Sequence, residues 1–290
     1  MLDGAEMSPV PVLVAATLPE LLDDAAAWRF AQAGVPAVAG LRTGLACAAA
    51  LQAPPPDAER LREVAAASRA ARFTAAGAGS AGPVCELPAP GRWLAEHETK
   101  AILRAAGIPV VDGRIVAGED DAVAALAELG APVAVKLSSP GLQHKTAAGA
   151  LALDVAAEPD LRAAHRALVG RNGRAEVLVE RMAPPGAELI VAVRRDAVVP
   201  ALVIGLGGLY AEAFDDVAVV PLPTTPARVE AAVRSLRGAA LVAGADLPAA
   251  ARLAAALAQI PGLELIECNP VLVHNRGAVV VDAIAKENSR

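Results

Sequence analysis

The sequence predicts an α/β protein, and three observations carry that prediction. Short apolar segments alternate with amphipathic helical stretches along most of the chain, and the helical stretches stop at glycine or proline. Over 290 residues, 55% hydrophobic against 20% charged is the balance of a folded chain with a large core, and the length suits about two domains. No internal repeat and no transmembrane or coiled-coil period competes with this reading.

From the front, PVPVLVAA reads as a strand and LPELLDDAAAWRFAQAG as an amphipathic helix stopped by Gly34. AGVPAV is a short strand, and LRTGLACAAALQA a second helix ended by Pro54, Pro55 and Pro56. Residues 57–72 extend as one more helix. FTAAGAGSAGPVCELPAPG, rich in Gly, Ala, Ser and Pro, then reads as a linker. The predicted organisation is an α/β segment over 1–72, a linker over 73–92 and a second domain over 93–290.

In that second domain WLAEHETKAILRAAG is a helix ended by Gly107, IPVVDGRIV a strand, and EDDAVAALAELG a helix ended by Gly130. A buried strand follows at 133–137, then a loop, a return strand at 150–155 and the helix LRAAHRALVG. Strands are predicted at 177–181, 188–194, 201–204 and 213–221, helices at 226–237 and 248–259, and strands at 263–273 and 278–284. Two helix–strand lobes clamping a nucleotide fit this order.

Charge and cysteine usage exclude several function classes. A net charge of −6 with 2% aromatics offers neither a basic stripe nor a stacking platform, so nucleic acid is a poor partner. Cys47, Cys85 and Cys268 are odd in number and far apart, which argues against a disulfide framework or zinc site and fits a reducing cytoplasm. AVVPALVIGLGGLYA, the longest apolar run, is broken by Pro200 and three glycines, so no membrane span is predicted. MLDGAEMSPV has acids and no basic segment, unlike a secretory signal.

The stretch VAVKLSSPGLQHKTAAGALAL, 133–153, is the most informative. Lys136 lies inside a buried strand, where an ammonium needs an anionic partner; the alternative is an edge lysine reaching water. Beyond the Pro140-Gly141 turn, Ala147-Ala148-Gly149-Ala150 has almost no side chain to keep a ligand from the backbone. Strand lysine and small-residue loop together suggest phosphate binding. His144, between Gln143 and Lys145-Thr146, sits in a polar loop suited to chemistry or to no more than a turn.

With VLVERMAPPGAELIVAVRRD, PALVIGLGGLYAEAF and LIECNPVLVHNRGAVVVDA, in that order, this stretch resembles the ATP-grasp portion of the NDP-forming acyl-CoA synthetases. These are relatives of succinyl-CoA synthetase, and the best-known members are the ADP-forming acetate:CoA ligases. The resemblance covers 94–285. It implies an ATP-grasp fold whose two α/β lobes clamp ATP, with ATP or ADP and Mg2+ as cofactors and CoA as co-substrate. Lys136 and the loop at Gly149 would then meet phosphates, and His144 would be the phosphoryl carrier. Glu180 and Met182 match the hinge against which adenine lies, and Glu188 the acid near the ribose; a solvated strand face is the alternative for both glutamates. GLGGLYAE, with Gly207 and Gly208, looks like a loop whose amides face a phosphate, while Arg194 and Arg195 rank below the lysine.

Glu267 and Asn269 are two apart on a strand and share a face that Asp282 on the returning strand can reach, so three oxygen ligands converge. The resemblance makes Asn269 and Asp282 the metal ligands and Glu267 a contact of the phosphohistidine. An Asn-Pro turn with an incidental acid is the alternative. Three departures stand out: Val219 and Val220 where relatives carry an arginine, Glu180 for a hinge glutamine, and Ala150 for a second loop glycine.

At the front, residues 8–52 resemble only the closing part of the synthetases' flavodoxin-like ligase domain. The CoA-binding domain and a second phosphohistidine segment of the full family have no counterpart in the sequence. Such a half domain would leave edges and apolar faces open, so a CoA-binding partner subunit or self-association is expected. The implied reaction joins a small carboxylic acid, CoA and ATP into acyl-CoA, ADP and phosphate. A catalytically silent ATP-binding or assembly module is the alternative, and a ligase using a free acyl phosphate and an amine a further one.

Overall fold

Residues 4–5, 7–10, 12–17, 22–51, 57–75, 91–142, 149–170, 176–196, 199–208 and 216–288 are described by the computed structural model, and their contacts fall into two units, 1–60 and 61–290. In the first unit β1 (Val14–Ala16) pairs in parallel with β2 (Ala37–Ala39), with α1 (Asp24–Gln32) between them in sequence and α2 (Leu41–Leu51) after them. Asp23 starts α1 by accepting the Ala26 amide at 2.6 Å, which satisfies one of the free N–H groups of a first turn. Gly44 lets α2 lie on β1, since a Cβ there would come within 2.5 Å of the Ala15 side chain. Among the described residues, Val35 is the only buried apolar side chain of this unit.

Helix α3 (Ala58–Ala75) crosses the division, and residues 76–90 of the expected linker lie outside the described residues. The second unit then builds two antiparallel sheets. The smaller has the order β3 (Gly113–Val116), β6 (Glu176–Arg181), β4 (Val133–Ser138), β5 (Leu151–Val155). Val133, Val135 and Leu137 pack under α5 (Glu119–Leu129) and α6 (Glu158–Val169), so the period of two turns Ala134 and Lys136 to the opposite face. Three acids in the first turn of α5 complement its dipole, and Gly130, at φ 81°, ends it in a conformation glycine adopts without strain.

The larger sheet runs β11 (Gly277–Val280), β10 (Leu263–His274), β7 (Ala187–Arg194), β8 (Ala201–Leu206), β9 (Val217–Pro221), with β12 (Ala283–Glu287) also on β10. One face packs Leu189, Val191, Val193, Leu202, Ile204 and Ile266 against α7 (Pro226–Arg234) and α8 (Leu247–Leu257). Thr225 and Asp246 cap these helices by accepting the Arg228 and Ala249 amides, with prolines in both first turns. A 3-10 turn at Ala239–Val242, absent from the sequence reading, joins them.

Two predicted strands are corrected. The 108–116 strand is limited to Gly113–Val116, with Val110 making a single bridge to Val280. The 278–284 strand is two, because Val281 and Asp282 leave the ladder opposite Asn269-Pro270. Proline has no N–H to donate, and β10 shifts register between Cys268 and Val271.

Candidate nucleotide site

Between the two sheets of the second unit lies a cavity of about 560 Å³. From the smaller sheet it is lined by Ala134, Lys136, Leu151, Leu153 and Glu180, alternate residues that the pleat turns to one face. Arg181, Met182 and Ala183 continue the wall, and Glu188, Glu267, Asn269 and Asp282 face them from the larger sheet and its β11–β12 connection. Lys136, Glu180, Met182, Glu188, Glu267, Asn269 and Asp282, seven residues singled out from the sequence, are thus brought to one cavity.

The anion that meets Lys136 is supplied by the protein. Its Nζ donates to Glu96 Oε1 at 2.9 Å and to the Val281 carbonyl at 2.9 Å, and stands 2.7 Å from Glu180 Oε2. Lys100, one helical turn after Glu96 in α4 (Glu96–Ala105), reaches the same groups: Glu96 Oε1 at 2.7 Å, Glu180 Oε1 at 2.5 Å and the Val281 carbonyl at 2.6 Å. All four side chains are almost completely buried. Burial alone would lower the Lys136 pKa, but the Glu180 and Glu96 carboxylates outweigh it and raise it above the usual lysine value. Burial and the neighbouring Lys136 ammonium push Lys100 down.

Glu267 and Asn269 face the cavity while Ile266 and Cys268 enter the core, as the strand period requires. The Asn269 amide donates to the Asp282 carbonyl at 3.0 Å and the Val281 amide to the Pro270 carbonyl at 3.0 Å, which fixes Asp282 beside Asn269 although it belongs to no strand. Among the described residues no three His, Cys, Asp or Glu side chains form a ready metal site.

The predicted glycines are less central. Gly207 and Gly208 do not line the cavity but abut its Glu188: the Gly207 amide donates to the Glu188 carbonyl at 2.7 Å, and a Cβ on Gly207 would lie 2.9 Å from that of Glu188. Gly208, at φ 94°, needs the freedom of glycine. Gly149, at φ 63°, stands at the foot of the loop outside the cavity wall, where the Leu137 amide donates to the Ala150 carbonyl at 2.9 Å. His144, with 143–148, lies outside the described residues, as do 209–215 of the glycine loop. Arg194 is held by Asp196 at 2.7 Å, and Arg195 by the carbonyls of Leu263 and Ala258, so neither turns to the cavity.

Glu96 and Lys100 were missed from the sequence. The signal was present: Glu96, Thr99, Lys100 and Leu103 form the i, i+3, i+4, i+7 buried stripe of α4, with charges where apolar residues belong. Glu98 keeps that helix start in place by accepting the Ala95 amide at 2.7 Å.

The fold has known counterparts. Residues 87–285 match the ATP-grasp domain family, well over half of the chain. The chain is also 31% identical over 213 residues to the beta subunit of ADP-forming acetate–CoA ligase I from Pyrococcus furiosus, covering 67% of this chain and 92% of that subunit. The chain belongs to the ATP-grasp family, in the branch of the ADP-forming acyl-CoA ligases. Against ADP-forming acetate–CoA ligase II from Archaeoglobus fulgidus the identity is 33% over 199 residues, covering 66% of this ATP-grasp chain but 30% of that longer protein. The solved acetyl-coenzyme A synthetase 1 of Ca. Korarchaeum cryptofilum, in complex with coenzyme A and Ca-AMPCP, superposes with a TM-score of 0.64 at 30% identity, covering 68% of this chain and 93% of that one. Another of its structures, with coenzyme A, Mg-AMPPCP and a phosphohistidine segment pointing towards the nucleotide binding site, gives 0.58 at 30% identity, covering 66% and 91%. No described helix is long and apolar enough to cross a membrane.

Proposed function

We propose that this chain is the ATP-binding part of an ADP-forming acyl-CoA synthetase, converting a small carboxylic acid, CoA and ATP into acyl-CoA, ADP and phosphate together with a CoA-binding partner. The observation that carries the proposal is the convergence of Lys136, Glu180, Met182, Glu188, Asn269 and Asp282 on one cavity between the two sheets. In this reading Met182 packs on adenine, Glu180 and the backbone beside it read the base, and Glu188 meets the ribose. Lys136 offers its charge to the phosphates, with the Gly149 loop and the Gly207-Gly208 turn beside them.

The oxygen donors of Asn269 and Asp282 suit Mg2+, which takes few protein ligands and completes its shell with water and phosphate; a ready cluster of three acids is not required. Bound there, the ion would neutralise charge on the phosphates.

His144 is the proposed phosphoryl carrier. An imidazole nitrogen forms a bond to the γ-phosphorus as the bond to the β-bridging oxygen breaks, ADP leaves with that electron pair, and Glu267 steadies the phosphoimidazole. The group then passes to a carboxylate at the partner's site, and CoA thiolate displaces phosphate from the acyl phosphate. The similar proteins, one a beta subunit and one solved in complex with coenzyme A, support a partner that binds CoA. Residues 1–72, with a parallel strand–helix start and exposed Trp28 and Leu45, are proposed as a flavodoxin-like segment that completes a domain with the partner or a second copy, 73–92 as linker and 93–290 as the ATP-grasp domain. A cytoplasmic setting is proposed with it, and Cys47 and Cys268 are free thiols.

Incubation with γ-labelled ATP and magnesium should give base-stable, acid-labile label on the wild type and none on His144→Ala. ATP binding without label, even after the partner is added, would overturn the carrier role and leave a silent ATP-binding module.

A further inference from the structure

The buried residues Glu96 and Lys100 have no part in the proposed chemistry, and neither lines the cavity. They nevertheless touch two residues that do, Lys136 and Glu180. Each lysine nitrogen has three oxygens within 2.9 Å, from Glu96, Glu180 and the Val281 carbonyl; it donates hydrogen bonds to two of them and forms an ion pair with the third. Two carboxylates and a carbonyl gathered around each nitrogen suit an ammonium, whose charge the carboxylates balance. The geometry therefore describes two cations and two carboxylates whose charges sum to zero.

That balance decides what the cavity wall presents to an anion. Without Lys100, Lys136 would face both Glu96 and Glu180, and these three groups would carry one net negative charge beside Glu188, Glu267 and Asp282. Such a wall repels a polyphosphate, and burial keeps water from screening it. With Lys100 bonded to both carboxylates from behind, the charge of Lys136 remains available to a ligand.

We propose that Lys100 is the positioning residue of the nucleotide site: it neutralises Glu96 and Glu180 from outside the cavity, so that Lys136 can serve a polyphosphate. The inference rests on the reading of the cavity as an ATP site. It makes a prediction that a structural role does not, namely that removing charges of opposite sign from two residues that never touch the ligand shifts affinity in opposite directions.

The test is calorimetric titration of the full chain with ATP, and with adenosine as an uncharged control, alongside thermal unfolding. Lys100→Met should weaken ATP binding about tenfold or more, or about 1.4 kcal/mol, and leave adenosine binding unchanged. Glu96→Gln should tighten ATP binding. The double variant Glu96→Gln/Lys100→Met, again neutral, should return to within about threefold of wild type. Equal ATP affinity in Lys100→Met and wild type, weaker binding by Glu96→Gln, or a double variant as poor as Lys100→Met would each overturn the inference while the ATP-site reading stands. Parallel loss of adenosine would reduce Lys100 to a structural residue. A wild-type chain that binds no ATP would overturn both. If Lys100→Met does not fold, Glu96→Gln still reads the sign by itself.

Discussion

The two units bury their apolar residues to different extents. In 61–290 both sheets have a face of Val, Leu and Ile sealed under helices, and even the charged stripe of α4 is enclosed. In 1–60 Val35 alone is buried among the described apolar side chains, while Trp28, Leu41 and Leu45 are 68%, 54% and 63% exposed. The contrast teaches that the same local rules of strand, turn and helix do not by themselves bury apolar faces, which the described residues of the first unit leave largely in water. A short parallel pair in such a unit gains little from packing.

The comparison can be broken most directly in the second core. Leu202→Ala, at a side chain with no exposure in the larger sheet, should lower stability by about 2–5 kcal/mol, because the lost burial adds to an unfilled cavity. Urea unfolding reads this as a reduced midpoint, and a loss under about 1 kcal/mol would show that this core repacks freely.

A smaller effect is expected at Asp216, just before β9. Its carboxylate accepts the Gly238 amide at 2.8 Å and the Arg237 amide at 3.0 Å, and these hold its pKa below the ordinary 3.8, the Gly238 bond first. A lowered folded pKa gives stability that is complete above the unfolded value and disappears as the pH falls through the folded one. Asp216→Asn should therefore lower the melting temperature at neutral pH, and the gap to wild type should close in acid below 3.8. A gap independent of pH would remove the charge from the explanation.

Least of all should follow from Trp28→Ala, within about 0.5 kcal/mol of wild type in the isolated chain, since most of the indole is already in water. The same substitution should weaken association if that face meets a partner or a second copy, which sedimentation with and without the proposed CoA-binding partner would measure.

Much of the second unit was legible in the sequence. Gly107 and Gly130 ended the helices they were expected to end, the apolar run at 133–137 and the segment 263–273 read as strands, and the two-residue spacing of Glu267 and Asn269 gave the face they share. Asp282 was legible as a neighbour of Asn269 but not as a residue outside the ladder, because the break depends on the opposite proline and the register shift. The 3-10 turn at Ala239–Val242 carries no periodic signal of its own.

The sequence by itself placed Lys136 in a short apolar strand, where an ammonium calls for an anion unless its side chain reaches water, since a strand's period and the cost of burying an ammonium are local facts. Only the tertiary structure decided which anion. Glu96 and Glu180 come from a helix and a strand 40 and 44 positions away in the chain, and with them comes Lys100, whose charge the strand sequence does not announce. Backbone periodicity acts between neighbours in sequence, whereas ion pairing depends on distance in space, which the packing of α4 against two sheets alone sets.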